Sequence, residues 1–158
     1  MKILKGLLII AFIVLFGGQV FDDGSCKVKV DKYPNANMRV LTFSWTGDAG
    51  TGAVPDTTTS ATETGDILGW YVYTIETNPG TTPPTPSYDI VVNDAEGLDI
   101  SGGMLADRSD TDTEKIIPRL DTTYSIFGGV LIDGALTLKI TNQTDLSATG
   151  TVKLLLSK

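Results

Sequence analysis

The sequence predicts an all-β fold: a two-sheet antiparallel β-sandwich, jelly-roll or immunoglobulin-like, behind an apolar N-terminal segment. Two observations carry this. Apolar side chains recur with period two in short runs, the spacing of half-buried strands. The runs are separated by stretches rich in Gly, Pro, Thr, Asn and Asp, the residues that make turns. About seven or eight short strands so spaced fit a sandwich. At 158 residues the chain divides into a signal-like or anchoring segment, 1–21, and one domain, 26–158. A domain of that size buries a core without disulfides or metals.

Each element has its own warrant. Ten consecutive apolar residues, Leu7 to Phe16, follow Lys2 and Lys5. A basic stretch before an apolar run of about 7–15 residues has the layout of a secretory signal, and a full membrane span needs about 20. The run therefore reads first as an export signal, and any membrane contact is confined to residues 7–21. From Cys26 to Asp31 apolar and charged residues alternate, predicting a strand. Tyr33 to Asn37 breaks it. From Arg39 to Trp45 the alternation resumes with Leu41, Phe43 and Trp45 on one face. Thr46 to Asp66 reads as a long Gly/Thr/Ala/Asp loop.

Ile67 to Glu76 reads as the strongest strand. Trp70, Tyr71, Val72, Tyr73 and Ile75 make both its faces bulky. This predicts a central strand, or one whose outer face meets another subunit, with Trp70, Tyr71, Tyr73 and Ile75 as candidate interface or core residues. A proline-rich loop, 77–87, leads to a strand over 88–92, which turns at 93–97 and pairs with 98–100 as a hairpin. A short helical turn is expected around Met104 to Ala106, and Thr111 and Glu114 have capping-box spacing. Ser125 to Ile132 reads as a strand bent at Gly128-Gly129. Ala135 to Thr141 and Thr151 to Leu156 are expected to pair as a terminal hairpin.

Composition narrows the chemistry. The formal net charge is −7, and with Lys2 and Lys5 set aside the remainder is more acidic still. Nucleic-acid binding needs clustered Lys and Arg, so no nucleic-acid partner is expected. The chain has no histidine, which excludes a Ser-His-Asp triad and imidazole metal sites. Cys26 is the single cysteine, so no intrachain disulfide forms, and the lipidation context before it is wrong. No phosphate-cradling glycine motif occurs, and no cofactor is expected. Asp107, Asp110, Asp112 and Glu114 form a candidate calcium loop, weighed against a solvated loop whose Asp and Thr side chains cap a turn. Asn93, Asp94, Glu96 and Asp99 read as an Asx-type turn. Trp70, Tyr71, Tyr73 and Tyr88 could stack on sugars, although such residues more often fill a core or an interface.

One phrasing carries a family likeness. It runs from Gly69-Trp70-Tyr71-Val72-Tyr73 through Asn78-Pro79-Gly80, Tyr88-Asp89-Ile90, Asn93-Asp94-Ala95-Glu96-Gly97 and Ala106-Asp107-Arg108-Ser109 to Gly134-Ala135-Leu136-Thr137-Leu138. It resembles small β-sandwich proteins encoded among the virion structural genes of tailed phages and prophages. The resemblance implies a non-enzymatic structural protein of the particle at the head surface, head–tail joint or tail surface. Its partners would be copies of itself or other virion proteins, and it supplies no catalytic residues. The competing expectations are an exported periplasmic or cell-surface binding module, for glycans among other ligands, and a subunit of an extracellular filament.

Overall fold

The computed structural model describes residues 23–121 and 123–158. The expected export signal, and the membrane contact through residues 7–21, lie outside the described residues. In chain order the elements are β1 Ser25–Tyr33, β2 Met38–Thr46, β3 Thr57–Thr58, α1 Ala61–Ile67, β4 Tyr71–Pro79, β5 Asp89–Asn93, β6 Glu114–Ile116, β7 Arg119–Asp121, β8 Ile126–Phe127, β9 Val130–Leu131, β10 Thr137–Thr141 and β11 Thr149–Ser157. The protein is mostly β, and its paired strands run antiparallel.

A six-stranded sheet has the order β1-β2-β11-β4-β6, with β9 also paired to β4. A three-stranded sheet has the order β3-β10-β5, and β7 and β8 form a separate ribbon. One core draws on both larger sheets. Leu41, Phe43, Trp45, Val152 and Leu154 come from the six-stranded sheet, and Ile90, Val92, Leu138 and Ile140 from the three-stranded one. Burying such side chains stabilises the fold by about 1.5–3 kcal/mol each before ordering entropy is subtracted.

β1 and β2 form a hairpin in full register, from Ser25 opposite Thr46 to Tyr33 opposite Met38. A 3-10 turn over Pro34–Ala36 connects them, closed by Asn37 at φ 46°, whose N–H donates to the Pro34 carbonyl. Asn tolerates this left-handed conformation better than most residues.

The expected 46–66 loop contains a helix. Ser60 and Glu63 cap α1 reciprocally: the Glu63 carboxylate accepts from Ser60 N–H at 2.7 Å, and Ser60 Oγ accepts from Glu63 N–H at 3.3 Å. The capping-box spacing at Thr111 and Glu114 opens no helix; Glu114 begins β6. The strong strand starts later than expected. Ile67 ends α1, and Gly69 at φ +75° turns the chain before β4.

β4 also carries a bulge. Leu155 pairs with Thr74 but Leu156 pairs with Val72, so Tyr73 has no partner on β11. The extra residue shifts the alternation, placing Val72, Ile75 and Thr77 inward. The expected strand over 125–132 splits at its two glycines: β8 pairs with β7, while β9 pairs with β4. The expected 98–100 strand reduces to a single bridge, Asn93 to Asp99.

The expected terminal hairpin does not form. β11 inserts between β2 and β4, with partners on both sides, while β10 pairs with β5 and β3 in the other sheet. With both edges of β11 occupied, β10 has no ladder to join there. The connection between them turns through Asn142 and Ser147, at φ 58° and 54°.

Candidate functional site

The four residues expected at an interface or core separate into two environments. Trp70 and Ile75 are buried, whereas Tyr71 and Tyr73 are 41% and 53% exposed. The bulge is the cause, because it sends Tyr73 outward while Ile75 returns to the core. The tyrosines border further exposed apolar side chains. Tyr71 pairs with Leu131 across β4 and β9. A Cβ placed on Gly129 would lie 3.4 Å from both Tyr71 Cβ and the Tyr73 ring, and one on Gly128 would lie 3.2 Å from Leu120. Leu120, Ile126, Phe127 and Leu131 are all about half exposed. Leu120 and Leu131 thus lie beside the two tyrosines around Gly128-Gly129, and Ile126 and Phe127 stand exposed on the adjoining ribbon β7–β8.

The sugar-stacking set is not assembled as one surface. Tyr88 is 1% exposed and packs against Trp45, ring centroids 5.8 Å apart. The Arg39 guanidinium lies over the Trp70 ring, 4.3 Å from its centroid. Only Tyr71 and Tyr73 remain available.

The candidate calcium loop does not gather its ligands. Among the described residues no group of three or more His, Cys, Asp or Glu side chains is placed to hold a metal ion. Glu114 accepts the Ser109 N–H at 2.7 Å and pairs with Arg108 at 3.5 Å. Ser109 Oγ accepts from the backbone N–H of Thr111 and Asp112. Asp107 is held by its own N–H donating to Asp89. The segment is therefore organised around Ser109, and Asp107, Asp110, Asp112 and Glu114 do not converge on a shared point. The second acidic segment makes turns: Asp94 Oδ1 accepts from the N–H of Glu96 and Leu98, and Asp99 caps Ser101 and Gly103.

Ionisable groups take structural positions. Glu76 on β4 lies between Lys115 on β6, at 3.0 Å, and Lys153 on β11, at 3.1 Å. Its hydrogen bond to Lys115, then that to Lys153, holds its carboxyl below the ordinary range against the opposing effect of burial. Burial, followed by the Glu114 and Asp110 charges, pushes the Tyr88 hydroxyl up to about 12. Burial also raises the Cys26 thiol, partly offset by a Thr57 hydrogen bond. A raised thiol is the reverse of an activated nucleophile.

Two depressions flank the six-stranded sheet at opposite ends. One, of about 380 Å³, is lined mainly by small polar residues including Ser25, Ser44, Thr46 and Thr149. The other, of about 390 Å³, is lined by Lys32, Tyr33, Pro34, Asn37, Met38, Arg39 and Trp70. Sequence reading missed Arg39 as a member of any site, because alternation places it on the core-facing side of β2 with no hint of Trp70 above it. It also missed Gln143, buried at 6% exposure, whose amide joins three loops.

Comparison of the chain with family models, with curated proteins and with solved structures finds no match in any of the three.

Proposed function

We propose that this chain is a non-enzymatic structural protein of a phage particle, acting through packing against copies of itself. In this reading the six-stranded and three-stranded sheets are the two layers of a sandwich. The single core cluster drawing on both sheets supports that layering. The observation that carries the functional reading is the apolar strip in which Tyr71, Tyr73, Leu120 and Leu131 meet around Gly128-Gly129, with Ile126 and Phe127 exposed on the adjoining ribbon. Contiguous exposed apolar surface marks interaction sites on soluble proteins. The ribbon β7–β8 supports it further, since Leu120, Ile126 and Phe127 are all exposed and an isolated two-stranded ribbon is marginal in water. A second copy covering the strip would stabilise the ribbon. The sequence resemblance to virion structural proteins supplies the setting.

The test is a comparison of the wild-type chain with a Tyr73→Ser/Phe127→Ser variant by analytical ultracentrifugation and thermal melting. The wild type should self-associate, and the variant should stay monomeric with its melting temperature close to that of the isolated wild-type monomer. A wild type that remains monomeric at high concentration, or a variant that assembles normally, would sink the proposal. Mass spectrometry of purified particles from the source strain tests the virion setting separately.

A further inference from the structure

We propose that the depression between the β1–β2 turn and Trp70 is a binding site for a carboxylate, with the Arg39 guanidinium as its anchor. The site lies where the inward-facing row of the six-stranded sheet runs out of core. Lys32, Arg39, Leu156 and Val72 occupy neighbouring register positions there across β1, β2, β11 and β4. Leu156 and Val72 are buried, and Trp70 closes the core above them at 7% exposure. Beyond Trp70 the space opens to about 390 Å³, with Tyr33, Pro34 and Asn37 of the turn on its far side. That volume accommodates a carboxylate with a short aliphatic or peptide body.

Arg39 is the unexplained group. The chain has three arginines. Arg119 donates twice to the Gly102 carbonyl, and Arg108 donates to the Ala106 carbonyl and pairs with Glu114. Among the described residues, Arg39 makes no side-chain hydrogen bond and no ion pair, although it is half-buried and the chain is rich in carboxylates. Its guanidinium carbon instead lies over the Trp70 ring, 4.3 Å from the centroid. A guanidinium stacked on an indole keeps its N–H edge free, and that edge matches a carboxylate bidentately. Leaving it without an acceptor forgoes strong charge-assisted bonds.

Lys32 is already paired with Asp66 of α1 at 2.6 Å. Lys158 sits 5.9 Å from the same indole, and Asn37 Nδ2 donates to the Lys158 carbonyl oxygen. Arg39 is thus the guanidinium left facing the depression, and its planar fork matches the two coplanar oxygens of a carboxylate. The ligand is either a free small carboxylate or a carboxylate carried on a polypeptide.

Two-dimensional NMR of the intact chain, following the Trp70 indole N–H and the Arg39 Nε–H, tests this. The probes are sodium acetate, sodium glutarate, an N-acetylated and C-amidated Gly-Glu-Gly peptide, and sodium phosphate, all at constant ionic strength. Saturable shifts are expected for at least one carboxylate, with a dissociation constant on the order of 1 mM for a single bidentate contact. Binding of acetate or glutarate as tightly as the peptide assigns a free ligand, and binding of the peptide alone assigns a polypeptide carboxylate. Arg39→Lys keeps the charge without the fork and should bind roughly tenfold more weakly; Arg39→Met should not bind. No saturable shift with any carboxylate, tighter binding of phosphate, or unchanged affinity in Arg39→Lys would overturn the site. Arg39→Lys alone decides the question if Arg39→Met fails to fold.

Discussion

Gly150 on β11 lies directly opposite Trp45 on β2, and a Cβ added to it would fall 2.5 Å from the indole Cζ2. The ring takes the space a side chain would need, so the glycine permits the largest side chain of the core to fold over its own neighbour strand. Gly150→Ala should therefore cost about 1–3 kcal/mol through overpacking. Urea unfolding should show a lower midpoint at unchanged slope. Trp45 Nε1 is buried without a hydrogen-bond partner among the described residues. Trp45→Phe removes that orphaned donor and frees the space above Gly150. Combined with Gly150→Ala it should recover at least about 0.5 kcal/mol relative to the sum of the single variants. Strict additivity would refute the coupling.

Gln143 joins the loops at one end of the molecule. Its Nε2 donates to the carbonyls of Gly52 and Asp145, at 2.9 and 2.6 Å, and its Oε1 accepts from Thr85 N–H at 2.8 Å. Gln143→Leu keeps the volume but strands these backbone groups. The expected loss is about 2–4 kcal/mol, since each buried group left unmade costs about 1–3 kcal/mol. Faster amide exchange should appear at Thr85 and at Asp145, whose N–H also reaches this side chain. A melting temperature equal to the wild type would show that water replaces the amide.

Much of the strand content was legible because alternation reports which face of a strand is buried. Leu41, Phe43 and Trp45, and likewise Val152, Leu154 and Leu156, are buried as the period of two requires. Alternation says nothing about neighbours, so the separation of β10 from β11 into different sheets could not be read from it. The bulge at Tyr73 was hidden because β4 is bulky at both parities, which removes the phase signal. Helix α1 had a readable cap in Ser60 and Glu63, but the Thr and Gly residues around it have poor helix propensity and read as loop. The Arg39–Trp70 stack joins residues far apart in sequence, and no local pattern foretells such a pair.

The row Lys115–Glu76–Lys153 predicts an acid-side dependence of stability. Glu76 is depressed in the folded state, so its contribution is fully present above the unfolded carboxyl value of about 4.3. It is lost as pH falls through the folded value. Both lysines are more than a third exposed, so screening limits the contribution to about 0.5–1 kcal/mol. Glu76→Gln should lower stability by that amount at pH 7 and by less at pH 3, so the two pH profiles converge in acid. Parallel profiles would show that the ion pairs contribute nothing.

Tyr88 sets the opposite limit. Its hydroxyl is pushed up to about 12, against about 10 in an unfolded chain. Between those values the unfolded chain releases the proton and the folded chain keeps it, so stability is whole below pH 10 and falls as pH rises through the window. One unit of difference corresponds to about 1.4 kcal/mol, so the loss approaches about 2–3 kcal/mol by pH 12. Tyr88→Phe removes that titration while keeping the ring against Trp45. It should lose stability less steeply than the wild type between pH 10 and 12 in urea titrations. Tyrosinate absorbance should show one tyrosine of the folded wild type titrating late, and that late phase should vanish in Tyr88→Phe. If the late phase persists in the variant, the protected hydroxyl belongs to another tyrosine.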